Sequence, residues 1–302
     1  MVPVFPHFKS IEINDQIYIR EILWRYQPKS SELNFSNLYI WRGRYQYFWS
    51  MDNDNLVIIS DQGSDSFALQ PVGNGDLIGT TAKLFDWMKS SKKINKPCIE
   101  RADQRFTKIL NGDFTINEKR DHFDYIYKRS SLVELSGNRY HNKRNHISAL
   151  KRDHQVEYRE FDASLLKDCN ELIERWCGLR RCEDDMNLLS EWDAVAVAMA
   201  NVNELKLQGG VLLIDGKVEA FTLGEMLNLD TLVIHIEKAN PEIQGSYATI
   251  NQKFAETMTE AIFINREQDL GEFGLRQSKM SYYPSDLVKK YTIFLKNKQN
   301  TL

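Results

Sequence analysis

The sequence TLVIHIEKANPEIQGSYATINQKFAETMTEAIFI, residues 231–264, decides the fold of this chain. Its β-branched opening, Thr231 to Ile236, predicts a strand that ends in a polar turn. Gly245 and Ser246 then precede apolar residues at helical spacing, which predicts a helix. A strand, a glycine-containing turn and a helix place backbone N–H groups at a helix N-terminus, where phosphate or an oxyanion can bind. An ordinary strand-to-helix connection explains the pattern equally well.

A three-strand meander leads into this stretch. Asp215-Gly216, between two apolar runs, suits a type I′ hairpin turn. The first half of the chain repeats the order, with three short strands within residues 45–72, then a glycine-containing turn and a helix. We infer an internal duplication of architecture without duplication of residues. The prediction is an α/β (α+β) protein of two domains, residues 1–133 and 134–302, each a mixed, mostly antiparallel sheet flanked by helices.

The composition is that of an ordinary globular protein, with 42% hydrophobic and 27% charged residues among 302, which excludes disordered and fibrous classes. A formal net charge of -3 means that any nucleic-acid-binding surface must be local. No apolar run has the length of a membrane span, and the N-terminus has no signal-peptide pattern, so we expect a cytoplasmic protein. The four cysteines form no C-x-x-C pair, which predicts reduced packing thiols and no metal site.

The segment LVELSGNRYHNKRNHISALKR, residues 132–152, predicts a basic helix. At 100° per residue, Lys143 and Arg144 fall on the same stripe as Tyr140 and the apolar residues of the helix. Cations on an inward face are costly unless anions or ligands meet them, so this stripe favours a binding site. The alternative is an exposed helix whose long side chains cover its apolar patch with their stems.

Five segments together resemble one family, that of the C-terminal domain of phosphatidylglycerol lysyltransferases, whose tandem GNAT arrangement is also similar to that of the Fem peptidyltransferases. The segments are SELNFSNLYIWR (31–42), LSGNRYHNKRNHI (135–147), GVLLIDGKVEAFTLGE (210–225), VIHIEKANPEIQGSYATINQKFA (233–255) and INREQDLGEFGLRQSKMSYYP (264–284). The resemblance covers nearly the whole chain and implies tandem GNAT-like domains. It also implies acyl transfer from an activated carrier to an amine or hydroxyl.

In lysyltransferases and Fem-like enzymes the carrier is aminoacyl-tRNA, and in ordinary GNAT enzymes it is acyl-CoA. The usual CoA pyrophosphate loop is Gln/Arg-x-x-Gly-x-Gly/Ala, whereas this chain has Glu242 at its start and Tyr247 at its end. An acid repels pyrophosphate and a tyrosine blocks close backbone approach, so acyl-CoA is disfavoured. A lipid acceptor is also disfavoured, because no membrane segment is predicted.

The acyl transfer implied by this resemblance assigns roles to polar residues of the C-terminal half. Glu237, Asp269 and Glu225 are candidates for the base, and structural salt bridges or helix caps explain each acid equally well. Backbone N–H groups near Gly245 and Ser246 could hold an oxyanion. The remaining candidates bind phosphate or carboxylate or line the pocket, although surface pairing and core packing are the bland alternatives: Tyr140, Lys143, Arg144, Asn145, Asn265, Arg266, Arg276, Lys279 and Tyr282.

Three function hypotheses follow. The first is an aminoacyl-tRNA-dependent or related acyltransferase, which would contact tRNA through the basic helix at 139–152 and use a small-molecule or peptide acceptor. The second is an acyl-CoA N-acyltransferase, and the third is a non-catalytic amino-acid or peptide sensor. No tightly bound cofactor is predicted; aminoacyl-tRNA or acyl-CoA would be a co-substrate. We expect the N-terminal domain to be a degenerate, structural repeat.

Overall fold

The computed structural model describes residues 1–296, which divide into two units, each with its own sheet. The first unit comprises Met1–Asp124, Gln268–Glu272 and the described chain from Val288 onward. The second comprises Tyr125–Glu267 and Phe273–Leu287. The end of the predicted second domain, 297–302, lies outside the described residues.

The first unit is built on an eight-stranded, mostly antiparallel sheet. With labels counted along the chain, its strands are β1 (Lys9–Ser10), β2 (Tyr47–Asp52), β3 (Asn55–Ser60), β4 (Phe67–Ala68), β5 (Val72–Gly73), β6 (Cys98–Asp103), β7 (Phe114–Glu118) and β15 (Lys290–Leu295). The order is β1-β2-β3-β4-β6-β15-β7, and β5 also pairs with β3. Its helices are α1 (Gln16–Tyr26), α2 (Phe35–Ile40), α3 (Arg42–Tyr45), α4 (Leu77–Ser90) and α5 (Gln104–Ile109). The apolar face of α4 packs on this sheet and forms the core.

The second unit contains a seven-stranded sheet in the order β14-β8-β13-β12-β11-β10-β9. Its strands are β8 (Asp124–Lys128), β9 (Val156–Glu160), β10 (Gln208–Ile214), β11 (Lys217–Met226), β12 (Thr231–Ala239), β13 (Phe263–Asn265) and β14 (Asp286–Val288). Its helices are α6 (Arg129–Glu134), α7 (His141–Asp153), α8 (Leu166–Arg180), α9 (Met186–Ala200), α10 (Ser246–Thr257) and α11 (Phe273–Met280). Helix α10 contributes buried residues to two apolar clusters of the unit.

The prediction of two mixed, mostly antiparallel sheets flanked by helices is confirmed. The unit boundaries differ from the predicted 1–133 and 134–302, because two strands join the sheet of the other sequence half. Strand β8 pairs antiparallel with β13 in the second unit, and β15 is inserted between β6 and β7 in the first. An apolar run predicts that a strand exists, but it does not specify which strands it will pair with.

The stretch that decides the fold has the predicted structure, namely β12, a turn, α10 and β13. Gly245 precedes α10 with a φ of 95°, a conformation that side chains other than glycine rarely adopt. The Asp215-Gly216 turn also has positive φ at both positions, as a type I′ hairpin requires.

Candidate active site

A gap opens in the second sheet between β12 and β13. The two strands pair in parallel over only three residues, from Thr231 opposite Phe263 to Val233 opposite Asn265. Strand β12 then continues to Ala239 while β13 ends, so the backbone groups that face the gap are no longer paired with each other. Side chains from both edges meet here instead.

The first bridge across the gap is an ion pair. Arg266, just after β13, donates to the Glu237 carboxylate of β12 at 2.7 Å, and both side chains are nearly buried. Asn251 of α10 donates to the other Glu237 oxygen at 2.9 Å. Helix α10, strand β12 and the end of β13 are therefore joined at one carboxylate. We call Glu237, Arg266 and Asn251 the Glu237 cluster.

Tyrosine rings and two lysines surround the Glu237 cluster. The Tyr282 ring lies 4.0 Å from the Lys143 ammonium and 4.9 Å from the Arg266 guanidinium, measured to the ring centroid. Lys279 donates to the backbone carbonyl of Arg266 at 2.6 Å, and Tyr127 donates to the carbonyl of Lys279 at 2.8 Å. Burial, and then the charge of Arg266, lowers the pKa of Lys143. Burial raises the pKa of the Tyr282 phenol to about 12.

A second bridge is formed by His235, which lies where the β11–β12 register shifts. Its Nδ1 lies 2.9 Å from a Glu267 oxygen, and its Nε2 lies 3.3 Å from Glu225. Burial acts to lower the pKa of His235, but hydrogen bonds to the two carboxylates outweigh it and raise the pKa to about 9. The His235 imidazolium therefore forms ion pairs with Glu225 and Glu267. At neutral pH it remains protonated and does not act as a base.

The polar groups of the turn before α10 form hydrogen bonds within the turn. The Ser246 N–H donates to the Ile243 carbonyl at 3.3 Å, and its hydroxyl donates to the Asn240 and Ile243 carbonyls. A Cβ added to Gly245 would lie 2.5 Å from the His146 carbonyl oxygen of α7. The Ser246 N–H and hydroxyl therefore have partners within the turn, and Gly245 allows close packing of α7 against it. The oxyanion role of backbone N–H groups near Gly245 and Ser246 stays a prediction.

The basic helix begins with a short 3-10 turn at Asn138–Tyr140 and continues as α7. Its Lys143 and Arg144 side chains are half-buried, as the stripe predicted. Arg144 donates to the carbonyls of Leu135 and Gly137. It therefore stabilises the chain at the end of α6 and does not face a ligand. Tyr140 donates its hydroxyl to the Tyr282 carbonyl at 2.9 Å and thereby supports the Tyr282 ring.

Other predicted residues lie outside the Glu237 cluster. Asp269 belongs to the first unit, where it is fully buried, pairs with Arg120 at 3.4 Å and accepts a hydrogen bond from the Gly271 N–H. Asn145 is exposed and bonds His141. Arg276 is half-buried on α11. Asp269 therefore has its partners within the first unit, and its role as an alternative base stays a prediction.

Asn265 has a local structural role. Its side-chain oxygen accepts from the Glu267 N–H at 2.7 Å, and Glu267 has a φ of 55°. This strained backbone directs Arg266 and Glu267 toward β12 as β13 ends. Strain of this kind is often concentrated at functional sites.

The first unit has a similar gap between its parallel strands β4 and β6, but side chains fill it. Gln70 accepts from the Asp103 N–H at 2.6 Å and donates to the Tyr26 hydroxyl at 2.9 Å. Tyr26 donates to the Asp103 carboxylate at 2.7 Å, which closes a ring of hydrogen bonds. This closed ring is consistent with the expectation of a structural repeat.

Two findings concern the cysteines and metals. Cys177 and Cys182 form a disulfide with 5.1 Å between their Cα atoms, so the prediction of reduced thiols is wrong for this pair. A spacing of five residues is not in itself a signal of a disulfide. The turn between the two cysteines brings them together, and the spacing does not show this. Within residues 1–296, no group of three or more His, Cys, Asp or Glu side chains is arranged to hold a metal ion.

Comparison with known proteins places this chain in a family. Residues 24–294 match the family model described as phosphatidylglycerol lysyltransferase, C-terminal. The chain belongs to this family. A conserved Bacteroides thetaiotaomicron protein of unknown function is 34% identical, with 98% of this chain and 100% of that chain covered and a TM-score of 0.89.

More distant members and neighbours share the fold. L-PGS from Bacillus licheniformis is 14% identical, with 84% of this chain and 85% of that chain covered and a TM-score of 0.58. FemX is 7% identical, with 96% and 98% covered and a TM-score of 0.59. Tandem GNAT proteins are also among the similar structures, so this member of the phosphatidylglycerol lysyltransferase C-terminal family has an acyltransferase-like fold. No helix within residues 1–296 has the length and apolar character needed to cross a membrane.

Sequence reasoning missed three residues of the gap. His235 was visible as a polar residue inside an apolar strand sequence, and Asn251 as a polar residue on the apolar stripe of α10, four residues after Tyr247. Tyr127 gave no signal, because a tyrosine in a strand is usually a core residue.

Proposed function

We propose that the second unit transfers an acyl group, specifically an aminoacyl group, from an activated carrier to an amine or hydroxyl acceptor at the gap between β12 and β13. The observation that carries the proposal is that charged and polar side chains meet across this gap. Glu237, Arg266 and Asn251 converge where the sheet opens, whereas the corresponding gap of the first unit is filled by a closed ring of hydrogen bonds. Family membership supports the same reaction class.

The residues at the gap suit attack on an ester. Glu237 accepts hydrogen bonds from Arg266 and Asn251, and its remaining lone pairs can accept an N–H or O–H of the acceptor. The positive charge of Arg266 and Lys143 favours anionic groups at the gap, among them a carbonyl oxygen that becomes an oxyanion and a carboxylate of the acceptor. Tyr282 orients these cations through its ring and limits access of water.

Aminoacyl-tRNA is the carrier we favour over acyl-CoA. Among the N–H groups of the turn before α10, those of Glu242, Ile243 and Ser246 already have partners within the turn. A pyrophosphate would therefore find few free donors there, in addition to the repulsion from Glu242. The exposed side chains of Arg139 and Lys151, at the two ends of the basic helix, provide local positive charge for tRNA.

A paired binding titration tests the carrier. Acetyl-CoA and a mixed aminoacyl-tRNA pool are titrated at fixed, near-physiological salt against the wild type, Lys143→Met and Lys217→Met, an exposed hairpin-turn lysine that serves as the control. We expect tRNA binding that falls steeply with salt and is retained in the control. Tight acetyl-CoA binding without tRNA binding would replace the aminoacyl carrier with acyl-CoA.

One observation favours a non-catalytic alternative, in which the second unit binds an amino acid or peptide without turnover. Both candidate bases of this unit already have ion-pair partners, Glu237 with Arg266 and Glu225 with His235. Ligand binding without consumption of any carrier would favour this sensor over the transferase.

A further inference from the structure

The Glu237 cluster contains a buried donor and a buried acceptor that have no partner. Nη1 of Arg266 and Oδ1 of Asn251 make no hydrogen bond within residues 1–296. Since Glu237 only accepts hydrogen bonds, the Asn251 amide must present its NH2 group to the carboxylate, which leaves its oxygen unused. Buried polar groups without partners are rare, so two of them beside one carboxylate favour a ligand-binding site there.

A second donor lies beside them. The Lys143 ammonium contacts the same Tyr282 ring as Arg266, and it makes no hydrogen bond or salt bridge with the described residues. Its side chain is partly exposed, so the cluster reaches the surface at this point. The available groups are therefore two cationic donors on one side and an amide oxygen with a carboxylate on the other.

We propose that the Glu237 cluster binds a free α-amino acid. Its carboxylate would accept from Arg266 Nη1 and Lys143, and its ammonium would donate to Asn251 Oδ1 and Glu237. Arg266 and Asn251 contact the two oxygens of the same carboxylate, so a ligand beside that carboxylate can lie near both side chains. A zwitterion with one carbon between its two charged groups can therefore be held from both ends. A fully ionised phosphate group would use the donors, but it would leave the Asn251 oxygen without a partner and place an anion beside Glu237.

This assignment deepens the proposed acyl transfer and rests on it for one step: the bound amino acid is the acceptor. Its nitrogen forms a bond to the carbonyl carbon of the aminoacyl ester, and the bond from that carbon to the carrier oxygen breaks. The ammonium loses two protons in total. One goes to the leaving oxygen, which departs as a hydroxyl, and the other is released to solvent through Glu237. The products are an amide and the free carrier.

The ligand class is tested on the wild-type protein. Each proteinogenic amino acid is screened by thermal shift, and the best ligand is compared by calorimetry with its C-terminal amide, its decarboxylated amine and its N-acetyl derivative. Inorganic phosphate forms a separate arm. We expect the free amino acid to bind about 10-fold or more tightly than each analogue, since each analogue removes a charge-assisted contact. Equal binding of the amide, no amino-acid binding, or tighter phosphate binding would each overturn the proposal.

Matched variants locate the binding site. Lys143→Met should weaken binding of the free amino acid about 10-fold or more and leave binding of its amide nearly unchanged. The control, Lys217→Met, removes an exposed hairpin-turn cation of the same unit and should change neither. Equal effects of the two variants would contradict the assignment. Carrier consumption without amino-acid binding would refute only this inference, whereas amino-acid binding without carrier consumption would refute only the proposed reaction.

Discussion

Replacing Glu237 by glutamine should destabilise the second unit strongly, because it leaves the Arg266 charge nearly buried and uncompensated. Only about a tenth of each side chain in this ion pair is exposed, at 10% for Glu237 and 12% for Arg266, so solvent screens the pair little. Removing one partner of a buried pair costs about 3–5 kcal/mol. The glutamine keeps the shape of the side chain and can still accept a hydrogen bond, so we expect about 3 kcal/mol, at the lower end of this range.

Thermal and denaturant unfolding measure this loss. For a unit of this size, about 3 kcal/mol corresponds to a decrease in Tm of about 6–12 °C. Glu256→Gln is the matched control, since its pair with Lys253 on α10 is about one-third exposed on both sides and should contribute about 0–1 kcal/mol. Adding Arg266→Met to Glu237→Gln should recover stability, because the unpaired charge is removed. Equal, small losses in Glu237→Gln and Glu256→Gln would refute the reasoning.

Three further predictions use the same comparison of stabilities. Because the folded-state pKa of His235 is raised to about 9, the contribution of this histidine to the free energy of unfolding should be complete below about pH 6.5 and lost as pH rises through 9. His235→Gln should remove this pH dependence when denaturation is measured between pH 6 and 10. Gly245→Ala should lower the free energy of unfolding by more than the roughly 1 kcal/mol expected of Gly216→Ala. Both glycines have positive φ, but only Gly245 has a backbone oxygen 2.5 Å from the added Cβ. Equal losses of stability in chemical denaturation would contradict this. Lys290→Met should cost about 3–5 kcal/mol by removing the ammonium that pairs with the buried carboxylates of Glu32 and Asp124. Lys289→Met removes only an exposed pair and should change stability little, so similar melting curves of the two variants would count against a buried ion cluster.

Local patterns were enough to predict the strand, turn and helix at 231–264 and the inward-facing stripe of the basic helix. Periodicity and turn residues are properties of neighbouring positions, which a single sequence displays directly. The pairing of β8 and β15 with the opposite sheets could not be predicted in this way, because strand partners are distant in sequence.

The candidate site shows the same division. Glu237, Arg266, Lys143 and Tyr282 were identified from the sequence, and the structure brings them together. Asp269 was a candidate base among the polar residues that follow β13, but it belongs to the first unit, and the backbone between it and Arg266 has positive φ at Glu267. Polar residues close in sequence need not share a site when a strained turn separates them.

Asn251 and His235 illustrate what contacts add to a sequence. Asn251 is notable only because α10 places its amide on the Glu237 carboxylate, and His235 because the β11–β12 register shift brings it between two acids. Neither contact follows from helix or strand periodicity alone. Both follow once β12, β13 and α10 are held together around the gap.

The most direct test of the central claim is a single-turnover transfer assay. Excess protein is mixed with a labelled aminoacyl-tRNA pool and a mixture of free amino acids, and the labelled product is followed by chromatography and mass spectrometry. The account predicts an aminoacyl amide whose formation is reduced in Lys143→Met and unchanged in Lys217→Met. Loss of the ester at the rate of a protein-free control, with no labelled product, would contradict acyl transfer at the gap between β12 and β13.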